Sequence, residues 1–249
     1  MSWSDLLRVL WQGFPVADEF LNPLYPEFLQ STGGLQLSLL ITAAALFFGA
    51  FPGLLLALLR GEEKKNRPLS VRAIQWFGSA VSRTITETVR AIPVMTIVLL
   101  FFYLPYPLLK LRIPPVVLAI AAFSLYASVY LGEILRSGFI AVAPETLEAA
   151  KLLGLKPLTV LIKIRLPIAL RTMLPAVASL LITVFKDTSV LTAVAVGELT
   201  YTGRQLFTAD PGSYQLILII IVLIYWSISF LGSKLVKHFE KYNLQVPSN

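Results

Sequence analysis

The 249-residue sequence predicts an all-α membrane protein with about five transmembrane helices. Three observations carry that reading. Apolar residues make up 56% of the chain and charged residues only 14%, where a soluble domain carries roughly 25% charged residues. Mean hydropathy is +0.75. Several apolar runs reach the ~20 residues a helix needs to cross a bilayer core. Backbone groups inside lipid must be paired within the protein, which leaves helices or a closed barrel. A barrel strand would alternate apolar and polar residues, and these runs do not.

The first span, 35–59, contains no charged residue. The second, 82–104, carries Arg83, Glu87 and Arg90 in its opening turns, so its start is the least defined boundary. The third covers 115–135, the fourth 168–185 and the fifth 214–235. Residues 1–30 carry no cleavable signal pattern, because Arg8 is not followed by a clean apolar run and a small-residue cleavage point. Trp3, Trp11, Phe14 and Phe20 suit a segment lying at the water–lipid interface; a poorly ordered tail is the competing reading. Three regions are expected: an N-terminal extracytoplasmic or interfacial segment at 1–32, a transmembrane domain at 33–240, and a cytoplasmic tail at 241–249.

Orientation follows from the loops. With the N-terminus outside and the C-terminus in the cytoplasm, 14 of the 21 basic residues fall inside: five in 60–72, six in 136–171 and three in the tail. Only Arg8, Lys110, Arg112 and Arg204 then lie clearly outside, which is the bias that sets topology in membrane proteins. The same bias accounts for the net charge of +7 without a nucleic-acid partner. The chain has no cysteine and one histidine, His238, in the charged tail. That excludes a disulfide framework, an iron–sulfur or thiolate zinc site and a histidine-rich metal site.

The connection after the third span is long and patterned, and reads as two short helices. Pro144 suits a first helical position, where its missing N–H costs nothing. Glu145 and Glu148 lie in the first turns, against the positive end of the helix dipole. Ala149, Ala150, Leu152 and Leu153 continue the helix, and Gly154 can take the left-handed conformation that ends it. Pro157 can start a second helix, and Pro167 disfavours helix at Leu166. A half-apolar helical pair in this position fits either a membrane surface or a groove in a partner protein.

Glu148-Ala149-Ala150, three residues, Gly154, nine residues, then Ile164-Arg165-Leu166-Pro167 resembles the EAA loop (here 144–167) of the permease subunits of binding-protein-dependent ABC importers. Three further segments resemble the polar amino acid subfamily, which imports histidine, glutamine, glutamate, arginine and opines. These are Phe185-Lys186-Asp187-Thr188-Ser189 with Gly197-Glu198-Leu199-Thr200, Tyr130-Leu131-Gly132-Glu133 running to Gly138, and Glu87-Thr88-Val89-Arg90-Ala91-Ile92-Pro93. Ala91-Ile92 stands where that subfamily more often has Gly-Thr, and Ser137 where it usually has Gly. The resemblance implies a type I ABC importer permease fold with a cytoplasmic coupling helix, in a prokaryotic inner membrane. Glu148, Ala149, Ala150, Gly154, Ile164, Leu166 and Pro167 would dock in a cleft of an ABC ATPase subunit. It also implies a second permease subunit, identical or related, and an extracytoplasmic amino-acid-binding protein.

Charge deep in a bilayer costs at least ~2.5–3.5 kcal/mol, so each such residue asks for a reason. Arg90, Glu133, Lys186, Asp187, Thr188 and Ser189 are candidates to line a substrate path, with Glu133 and Arg90 positioned to meet across helices. The competing reading for these charges, and for Glu87 and Glu198, is helix packing or a place at the water boundary. Small residues of the third span, including Ala121, Ser128 and Gly132, allow close helix approach.

No Walker A pattern occurs, so ATP and magnesium belong to a partner ATPase, and the chain itself is a non-enzyme that binds no cofactor. A secondary transporter would place polar groups at broken helices, often in internal repeats; no repeat is found here. A membrane scaffold, or a permease for another small solute, are the remaining alternatives.

Overall fold

The computed structural model describes residues 3–13, 33–60 and 69–243. Helices dominate them: α1 (Trp3–Gln12), α2 (Gly34–Leu59), α3 (Leu69–Ala91), α4 (Val94–Tyr103), α5 (Pro105–Leu109), α6 (Pro115–Ile140), α7 (Pro144–Leu152), α8 (Pro157–Val160), α9 (Leu166–Asp187), α10 (Leu199–Ala209) and α11 (Tyr214–Asn243). Among the described residues, four helical runs are long and apolar enough to cross a membrane, and five if the broken pair 72–91 and 94–108 counts as one span. The expected first, third, fourth and fifth spans are therefore present, the last three longer than the sequence predicts.

Two expectations are corrected. The second span does not run as one helix from 82 to 104: α3 starts at Leu69 and the helix breaks before Pro93, which is extended at φ −57°, ψ 138°. Proline has no N–H to give the helix and disfavours helical backbone at the residue before it. The second correction concerns Pro167, which does not end a separate short helix. A π-helical turn, Leu161–Arg165, joins α8 to α9, and the Leu166 N–H bonds the Leu161 carbonyl five residues back. The wider register lets the helix pass a residue that cannot donate.

The chain divides into two compact units, and four of the long helices contribute to both. The first unit comprises Met1–Phe47, Ile92–Tyr126 and Leu181–Leu231. Its core joins Leu6 and Leu10 of α1 to Leu35, Phe185, Leu199, Leu206, Ile217 and Ile221. The N-terminal helix is thus packed into the first unit. Its contact with α2 is close: a Cβ on Gly34, whose φ is +53°, would lie 2.2 Å from the Leu10 carbonyl oxygen. Phe14 and Phe20 lie outside the described residues.

The second unit comprises Phe48–Ala91, Ala127–Leu180 and Gly232–Asn249. Here α2 and α6 approach through backbone: a Cβ on Gly53 would lie 2.7 Å from the Ser128 carbonyl oxygen, and one on Gly132 would lie 2.9 Å from that of Gly53. Ser128 and Gly132 were expected to permit such an approach; Gly53 supplies the other side. Only 11% of the most apolar window of the last span is buried within the chain, so that helix needs lipid or another subunit around it.

Candidate functional site

The segment 144–167 forms an exposed knob in the second unit. Pro144 opens α7 at its first turn, as expected. Gly154 takes φ +68°, its N–H bonds the Lys151 carbonyl at 2.9 Å, and the Leu155 N–H bonds the Ala150 carbonyl at 3.2 Å. This pair of bonds is a Schellman cap. A Cβ at Gly154 would meet nothing within 4 Å, so what selects glycine is the left-handed backbone, worth roughly 1–2 kcal/mol against any L side chain.

Glu148, Ala149 and Gly154 are exposed, Ala150 is buried, Ile164 and Leu166 are half-buried, and Pro167 is exposed. The helix end carries the apolar exposure, with Leu152 at 89% and Leu153 at 77%. These two adjacent leucines lie outside the apolar spans and are not covered by the rest of the chain.

The base of the knob is packed. Leu147 of α7 packs with Ile134, Leu135 and Phe139 around buried Val142, Ala169 and Met173. Gly138 is filled on its open side by Met173, whose Cγ lies 2.2 Å from where a Cβ would sit. Arg165 lies over the Phe139 ring at 5.4 Å and donates to the Phe139 carbonyl at 3.4 Å. The two ends of the motif are therefore tied to α6 and α9 by one small core.

A second cluster of the same unit surrounds Glu133. Arg60 donates from Nη1 to Glu133 Oε2 at 2.7 Å, and Arg136 bonds Glu133 Oε1. Nη2 of Arg60 also reaches the Ser82 carbonyl at 3.3 Å, while the Ser82 hydroxyl donates to the Leu56 carbonyl at 2.8 Å. Arg90, expected to meet Glu133, makes no direct ion pair with it but lies near enough for its charge to act on the carboxylate, over the Tyr130 ring at 5.2 Å. In the sequence Arg60 is one of five basic residues in 60–72, with nothing to mark it as the partner of Glu133.

In the first unit, Lys186 is exposed, Asp187 and Ser189 are half-buried, and Thr188 is buried with its hydroxyl donating to the Phe185 carbonyl at 2.7 Å. The Tyr126 side chain hydrogen-bonds Asp187. Glu198 is fully buried and caps α10, accepting from the Thr200 N–H at 2.9 Å and the Tyr201 N–H at 2.7 Å. The Tyr225 hydroxyl donates to Glu198 Oε2 at 3.1 Å. The Leu199 N–H donates to the Ser38 hydroxyl, and the Gly34 N–H to the Gly197 carbonyl. Glu198 is a packing element that ties α2, α10 and α11 together in this unit.

Burial pushes the Glu198 carboxyl up to about 7, against 4.5 in an unperturbed chain. The folded protein therefore holds a proton that the unfolded chain has released between those two values, so stability falls as pH rises from about 4.5 and the loss is complete just above 7. The expected loss is at most ~3 kcal/mol. The melting temperature of detergent-purified protein should drop from pH 5 to pH 8, and Glu198→Gln should remove most of that drop.

The fold defines a class: a polytopic helical membrane protein, with an apolar helix end left exposed in the segment 144–167. The chain belongs to the family of binding-protein-dependent transport system inner membrane components, whose model matches residues 53–242. It is 28% identical over 207 residues to the L-cystine transport system permease protein TcyB of Bacillus subtilis (strain 168), covering 83% of each chain. It is 32% identical over 165 residues to the probable glutamine ABC transporter permease protein GlnP of the same organism, covering 65% of this chain and 75% of that one. A crystal structure of an amino acid ABC transporter with histidines matches at a TM-score of 0.71 and 26% identity, over 84% of this chain and 92% of that one.

Proposed function

We propose that this chain is the permease subunit that carries a polar amino acid across the prokaryotic inner membrane, with a separate ABC ATPase gripping α7 and its cap. The observation that carries the coupling half is the pair of exposed leucines, Leu152 and Leu153, on a helix whose base is locked into α6 and α9. The substrate class rests on the amino acid permeases that the chain is similar to. The basic residues gathered in the loops support an N-terminus outside and α7 in the cytoplasm. A second permease subunit flanks the exposed last span, an extracytoplasmic binding protein delivers substrate, and ATP with magnesium stays on the ATPase. Glu148, Ala149, Ala150, Gly154, Ile164, Leu166 and Pro167 form the docking element. Arg90, Lys186, Asp187, Thr188 and Ser189 remain candidates for the substrate path. Nucleotide can act only through contacts that differ between the two states it favours.

The test is reconstitution in vesicles with the cognate ATPase and binding protein, using a panel of labelled amino acids. Uptake of a polar amino acid that requires ATP on the ATPase side is the expected result. Uptake that survives removal of the ATPase and follows an ion gradient would assign the chain to secondary transport.

A further inference from the structure

We infer that Arg60 and Glu133 are positioning residues that make the end of α2, the middle of α3 and the C-terminal third of α6 one body, so that a push on α7 moves three helices instead of one. The inference rests on the coupling role proposed for α7. Its own support is the geometry around one guanidinium. Arg60 follows the last residue of α2 and reaches Glu133 on α6 and the Ser82 carbonyl on α3, at 2.7 and 3.3 Å. Ser82 closes the circuit by donating to the Leu56 carbonyl of α2. The same two helices, α2 and α6, touch backbone to backbone at Gly53 and Gly132. Directly after Glu133, Ile134 and Leu135 of α6 join the small core that holds Leu147 of α7. The contacts therefore run without a gap from α7 to α2 and α3, a packed route for a displacement.

Partial burial decides why a charge pair is used. The Arg60 side chain is 14% exposed and that of Glu133 31%, so neither is screened as a free surface charge would be. A guanidinium can bond two acceptors in fixed directions, which an ammonium cannot do as well. Glu133 is held from its other side by Arg136, so removing Arg60 leaves the carboxylate paired while cutting its ties to the end of α2 and to the Ser82 carbonyl of α3. The predicted consequence is loss of transmission with the fold retained.

The experiment is a double-mutant cycle in the reconstituted transporter, with Arg60→Gln, Glu133→Gln and the combination, reading amino acid taken up per ATP hydrolysed. Each single substitution should lower that ratio about fivefold or more, and the pair should be no worse than the poorer single, the non-additivity expected of groups acting through one contact. Arg60→Lys keeps a cation against Glu133 and should recover at least half of the ratio. If Arg60→Gln does not accumulate in the membrane, Arg60→Lys and Glu133→Gln carry the same test. Additive losses, a Lys variant as uncoupled as the Gln variant, or uptake falling only in step with protein amount would overturn the inference. A wild-type complex whose uptake needs no ATPase would instead overturn the coupling role itself.

Discussion

Replacing Leu152 and Leu153 together with glutamate is expected to abolish ATP-driven uptake while leaving the amount of folded protein in the membrane unchanged. Both side chains project from the end of α7 with exposures of 89% and 77%, so nothing inside the chain depends on them. In the ATPase cleft they would be buried, and there an unpaired carboxylate costs roughly 3–5 kcal/mol. Each 1.4 kcal/mol is a tenfold change in affinity, so the complex should weaken by about 100- to 4,000-fold. Uptake assays paired with copurification of the ATPase measure both consequences. Intact uptake in that variant would remove these leucines from the interface.

Gly53→Val should do the reverse, removing folded protein and leaving little to assay. A Cβ at residue 53 would sit 2.7 Å from the Ser128 carbonyl oxygen and 3.1 Å from the Gly132 nitrogen, both backbone atoms. Side chains can turn away from an added methyl group, but two helices in backbone contact have to separate. Overpacking that can relax costs about 1–3 kcal/mol, and this site has less room to relax than most. Helix association in lipid depends on such close packing, since tails are as apolar as the side chains. The yield of monodisperse protein by size-exclusion chromatography should collapse. Gly197→Ala is the control, because a Cβ there meets nothing within 4 Å. Equal yields for the two variants would mean that α2 and α6 do not cross at these glycines.

The parts of this fold that were legible in the sequence are the ones dictated locally. An uncharged run such as 35–59 has one stable form in lipid, and Gly34–Leu59 takes it. The cap at Gly154 was readable because a helix start, a helix length and a left-handed stop all lie within a dozen residues. Proline was read less well. Pro93 was hidden by the apolar residues on its C-terminal side, which continue the hydropathy signal across a broken backbone. Pro167 was read as a stop because the ordinary helical register cannot pass it, and a π turn can.

Long-range pairing was the least legible. Arg60 and Glu133 are 73 residues apart, and a lone arginine beyond a greasy span looks like any other positive-inside base. Only the crossing of α2 and α6 at Gly53 and Gly132 makes them neighbours. Glu198 was ambiguous for the same reason: a cap within its own helix is visible in sequence, but the Ser38 and Tyr225 contacts around it come from distant helices.

The chain contains no cysteine, so a single Leu153→Cys substitution gives one unambiguous attachment point for a short cross-linker. In membranes from cells expressing the whole transporter, that position should capture a nucleotide-hydrolysing subunit as its principal neighbour, with a yield that changes when ATP is bound. Capture of lipid alone, with uptake running normally, would contradict the claim that a separate motor holds the end of α7.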